Sequence, residues 1–104
     1  MTNKELNKAI RTLMVEQLGL DKENYRNGDG RIEMHPLIFS KGVWKARESF
    51  FYRHGGSAEQ WATKVQQTVE SAGFNFELVD SSEKWNNWPR LSYWEVQFEV
   101  SEEI

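Results

Sequence analysis

From Leu91 to Val100 the chain alternates: Trp94, Val96, Phe98 and Val100 fall on one side, and Tyr93, Glu95, Gln97 and Glu99 on the other. A period of two over this length specifies a strand buried on one face, and it obliges the rest of the chain to cover that face. Two segments have the pattern to do so. The first opens at Thr2, with Glu5 three residues on, the pair that forms a capping box. Leu6, Ala9, Ile10, Leu13, Met14 and Leu18 follow at helical spacing. Gly19 stands where a left-handed residue ends a helix, and Leu20 supplies the apolar contact after it. The second segment repeats this plan. Ser57 and Gln60 make the cap, Trp61, Val65, Val69 and Ala72 make the stripe, Gly73 makes the stop, and Phe74 follows. Lys64, Gln66, Gln67 and Glu70 fill the polar face.

More strands are expected around these helices. Phe74, Phe76 and Leu78 share the two-residue period. Val43 to Arg53 reads as a long strand with Trp44, Ala46, Phe50 and Tyr52 on one face and Lys45, Arg47, Ser49, Phe51 and Arg53 on the other. Glu48 falls on the apolar side of that strand, which suggests a bulge or an edge position. Arg31 to Met34 is a shorter strand that extends toward Leu37 and Phe39, with Pro36 confining that part to an edge. Ser40, Lys41 and Gly42 form a hairpin turn. The order is α-β-β-α-β-β, and the expected fold is α+β: two helices on one face of a four-stranded, mostly antiparallel sheet, in one domain spanning residues 1–104. The other sheet face is left to solvent or to a partner.

Composition narrows the chemistry. There is no cysteine, which removes disulfides, thiolate metal sites and cysteine nucleophiles. No apolar run reaches the ~18 residues of a membrane span. The N-terminal stretch lacks the apolar core and cleavage site of a signal peptide, so the cytoplasm is the expected location. The net charge of −3 is unevenly divided. Residues 1–56 hold ten Lys and Arg against seven Asp and Glu, and residues 57–104 hold three against nine. An acidic chain is a poor prior for general nucleic-acid binding, whose affinity comes largely from neutralising phosphates.

The candidate catalytic and metal groups are few. Asn27, Asp29, Gly30 and Ile32 match part of a calcium loop, but Tyr25 and Pro36 occupy its first and last ligand positions. A glycine-rich turn is the simpler reading. His35 and His54 are the two histidines, without the further ligands a zinc site needs. Neither a metal nor a cofactor is therefore expected, and no residue is assigned as catalytic. If Glu48 faces the core, desolvation raises its pKa as in general acids. The alternative is that it turns outward or lies near Lys45, Arg47 or Arg53.

Two surfaces stand out as binding candidates. The segment Glu83–Arg90 connects two strands and reads as a surface loop carrying Lys84, Trp85, Trp88 and Arg90, the residue types of interface anchors. Its indoles could equally fold back over the core. On the outer sheet face, Lys45, Arg47, Phe51 and Arg53 share one side of their strand. With Trp85, Trp88 and Arg90 they form the alternative, nucleic-acid-binding set. If their strand neighbours the Tyr93–Glu99 strand, the opposite charges become cross-strand ion pairs instead.

The sequence thus favours a non-catalytic protein-interaction module. A nucleic-acid-binding module is the first alternative. A small-ligand binder or small enzyme using Glu48, His35 or His54 is the second. In size, acidity and lack of cysteine the chain resembles small accessory proteins of phages and mobile elements. That resemblance implies binding to, and inhibition of, a host-defence complex. A protein partner and no membrane are expected, and a homodimer is compatible with the same surfaces.

Overall fold

The computed structural model describes residues 1–20, 25–26, 32–34, 36–49, 56–87 and 90–102. Helix α1 (Asn3–Leu18) begins at the expected capping box. Glu5 donates its amide to the Thr2 hydroxyl at 3.1 Å, and the Glu5 carboxylate accepts from the Thr2 amide at 3.0 Å. At the far end Gly19 takes φ 69°, and the Leu20 amide returns to the Met14 carbonyl at 3.3 Å. Helix α2 (Ala58–Ser71) is capped by the Ser57 hydroxyl, which accepts from the Gln60 amide at 3.1 Å. The Gln60 side chain accepts from Gly56 rather than from Ser57, so the reciprocal half of the expected box is shifted by one residue.

The strands are β1 (Tyr25–Arg26), β2 (Ile32–Met34), β3 (Leu37–Ser40), β4 (Val43–Ser49), β5 (Phe74–Asn87) and β6 (Arg90–Glu102). Four of them form the antiparallel sheet β3-β4-β6-β5, and the two helices pack against it. The α-β-β-α-β-β two-layer fold read from the sequence is the fold observed. One detail differs: the segment around 31–34 does not run on into β3. It pairs with β1 in a separate two-stranded ribbon, and Pro36 stands at the break. The Lys41-Gly42 turn joins β3 to β4, with positive φ at both residues (53° and 81°), as tight hairpins with two central residues require.

One core lies between the layers. Ile10, Met14 and Leu18 come from α1, Trp61, Val65 and Val69 from α2, and Trp44, Trp94, Val96 and Phe98 from the sheet. Phe39 packs on Trp44 with ring centres 4.7 Å apart, and the Arg11 guanidinium lies 5.3 Å from the same indole. The stripe of α2 departs from expectation at its end. Ala72 is exposed, because the helix stops one residue earlier, and Ala62 is buried in its place. Among the described residues, no helix is long and apolar enough to cross a membrane.

Glu48 is the main correction. Its register with β6 is unbroken from Trp44 to Ser49, and β4 lies inside the sheet, so neither a bulge nor an edge turns it outward. It is fully buried on the core face, opposite Trp94.

Candidate functional site

The outer face of the sheet, away from the helices, is built by the pairing of β4 with β6 and of β6 with β5. Arg47 stands directly opposite Glu95, and Lys84 stands opposite Tyr93. The Glu95 carboxylate gathers three partners. Arg47 Nε donates to Oε1 at 2.8 Å, Gln97 Nε2 donates to Oε2 at 3.0 Å, and Lys84 Nζ lies 3.6 Å from Oε2. The Arg47 guanidinium also lies 5.6 Å from the centre of the Tyr93 ring. Tyr93 and Glu95 are 6% and 3% exposed, although both lie on the face expected to be open. The outer face is therefore closed around them. The sequence signal for this was the expected ion pairing, which neighbouring strands make real.

Burial alone would push the Glu95 carboxyl up. The hydrogen bonds from Gln97 and Arg47, and the charges of Arg47 and Lys84, outweigh it and hold the group below its ordinary value. A depressed folded pKa adds stability that is complete above the unfolded value of ~4.3 and is lost as pH falls from there through the folded value. Glu95→Gln is expected to flatten the acid limb of stability against pH. Glu95→Ala is expected to cost about 2 kcal/mol at neutral pH, the scale of charge-assisted hydrogen bonds. Urea melts between pH 3 and pH 7 read both. An acid limb as steep in Glu95→Gln as in the parent would contradict the assignment.

The cluster bears directly on the nucleic-acid set. Arg47 and Lys84 are both turned onto one carboxylate, and Lys45 stands opposite Gln97. Further along the same face Glu77 stands directly opposite Glu99, a pairing that repels phosphate. Phe51 and Arg53 lie outside the described residues, as do His35, His54 and the Asn27–Gly30 turn.

Within the Glu83–Arg90 segment, residues 83–87 and Arg90 are strand rather than loop. β5 continues to Asn87 and β6 begins at Arg90, so Trp85 pairs with Ser92 and Asn87 with Arg90 through the backbone. Trp88 lies outside the described residues. β4 accompanies β6 as far as the Ser49–Tyr93 pair. Among the described residues, positions 90–92 pair with β5 alone. The 14 residues of β5, at ~3.4 Å each, match the 45 Å long axis of the molecule. Among the described residues, the β5–β6 hairpin thus extends past the described part of β4 and includes Trp85.

The sequence reading also missed an apolar doublet. Leu78 and Val79 break the alternation of β5, and the register with β6 slips between Leu78 and Asp80. Two apolar residues in succession were the signal for this bulge. Leu78 is 50% and Val79 49% exposed.

Among the described residues, no group of three His, Asp or Glu side chains is placed to hold a metal. EDTA is expected to leave the thermal midpoint unchanged, and a fall of several degrees would reveal a bound ion. A surface groove along α1 and α2 is lined by Leu13, Gln17, Lys64, Gln67 and Thr68, among others, without a carboxylate, while two other grooves include Glu5 and Glu16, and Glu70, Glu77 and Glu99. Compared with known proteins, the chain matches no family model, and no curated protein or solved structure matches it significantly.

Proposed function

We propose that this protein is a non-catalytic protein-interaction module that engages its partner through the end of the β5–β6 arm, with Lys84, Trp85, Trp88 and Arg90 as the contact set. The observation that carries the reading is the arm itself. Among the described residues, β5 and β6 stay paired past the last described pairing with β4, at Trp85–Ser92 through Asn87–Arg90, and the sequence adds Trp88 between Asn87 and Arg90. A backbone-paired hairpin loses less conformational entropy on docking than a free loop, and Trp and Arg are the side chains that most often dominate interface energies. The nucleic-acid reading has less support, because the outer-face cations Arg47 and Lys84 are both engaged by Glu95 and Glu77 stands opposite Glu99 on the same face.

The test is affinity capture from a lysate of the source cells, with and without nuclease and across a salt series. A protein retained after nuclease treatment, with modest salt dependence, supports the reading. Capture that vanishes with nuclease or falls steeply with salt supports nucleic acid instead. The identity of the retained protein decides whether a host-defence complex is the target, as the resemblance to phage and mobile-element accessory proteins implies.

A further inference from the structure

The order β3-β4-β6-β5 leaves the sheet with two outer edges. The β3 edge is four residues long and follows Pro36, two features that keep an edge from recruiting another strand. The β5 edge is 14 residues long, and no described strand pairs with its outer side. Near its middle sit Leu78 and Val79, the large hydrophobics that, with Met1, are exposed among the described residues. The charged residues around them are acidic. Glu77, Asp80 and Glu83 are exposed, while Lys84, on the same strand, is directed to Glu95 on the outer face.

We propose that the outer edge of β5 is a docking edge for an extended, basic segment of a partner protein, which adds to the sheet as a fifth strand. This rests on the protein-interaction reading and specifies its chemistry. A strand edge offers a row of backbone N–H and C=O groups, which another extended backbone satisfies in full. Leu78 and Val79 supply apolar contact at the centre of the edge, and Glu77, Asp80 and Glu83 select Lys and Arg in the incoming segment. A second copy of the chain would bring the same carboxylates against themselves. The bulge at Val79 bends the edge, so it accepts a strand that follows the bend and discourages indiscriminate pairing.

The probe is a fluorescent ten-residue peptide of alternating Val and Lys, with a Val/Glu peptide as control, titrated against the full chain. The Val/Lys peptide is expected to bind at least ~tenfold more tightly than the control, about 1.4 kcal/mol. Leu78→Lys with Val79→Lys is expected to weaken it by a similar factor. Both positions are exposed, so the fold should survive, and a melt checks this. Glu77→Lys with Asp80→Lys is expected to reverse the preference between the two peptides. Equal binding of the two peptides, or binding unchanged by both double variants, overturns the proposal. So does self-association of the parent chain that Leu78→Lys with Val79→Lys abolishes, which would make the occupant a second copy. If edge variants keep a partner that Trp85→Ala or Trp88→Ala loses, the edge proposal fails while the interaction reading stands. If nuclease removes all capture, the interaction reading itself fails.

Discussion

Replacing Trp61 with alanine is expected to remove ~3–5 kcal/mol of stability, through lost burial and the cavity left behind. The side chain is fully buried, leads the apolar stripe of α2 and faces the centre of the sheet. It also ties the layers together with a hydrogen bond, since its indole Nε1 donates to the Ala46 carbonyl of β4 at 3.1 Å. A domain of this size has about 5–15 kcal/mol in total, so the variant should melt far earlier or fold only in part. Trp61→Phe separates the two contributions. It keeps much of the apolar volume and loses one donor to a carbonyl that also stands in the ladder with β6, so it should cost less than alanine, on the order of 0.5–1.5 kcal/mol for the lost hydrogen bond. Denaturant melts of both variants read this directly. A neutral Trp61→Ala would mean that α2 does not bury its stripe against the sheet.

What the sequence disclosed and what it hid follow a physical division. Helix α1 was legible from its cap to its stop, because the Thr2–Glu5 box, the 3.6-residue period and the Gly19 turn are all local. The alternation of β6 was legible for the same reason, and from it came the need for a covering layer. The end of the β5–β6 arm was misread as a loop. Ser, Asp, Asn and Lys dominate Asp80–Asn87 and have low strand propensity, but pairing with β6 overrides that preference. The burial of Tyr93 and Glu95 was legible only as a conditional ion pairing, because it depends on strand order. It arises only because β4 and β5 flank β6 and deliver Arg47 and Lys84 to one carboxylate. Glu48 was visible as an anomaly on an apolar face, but its complete burial depends on β4 being an inner strand with unbroken register. The Leu78–Val79 doublet was on the page as a break in period, and its meaning as an exposed, bulged edge came from the register.

The second large effect is expected in binding rather than in folding. Trp85 pairs with Ser92 beyond the last described pairing of β4 with β6, and Trp88 follows it three residues on in the sequence. If they anchor a partner, cutting either to alanine removes contact area from the complex and little from the folded chain. Interface anchors commonly lose 2 kcal/mol or more on truncation, whereas surface substitutions shift stability by about 0.5 kcal/mol or less. The decisive measurement is therefore a denaturant melt and a partner-binding titration on Trp85→Ala and Trp88→Ala side by side. A protein-interaction arm predicts that at least one of the two changes stability by under ~1 kcal/mol while weakening the partner at least tenfold, about 1.4 kcal/mol. Loss of several kcal/mol of stability in both variants, with partner affinity retained by whatever remains folded, would make the indoles part of the core and contradict the assignment of function to the arm.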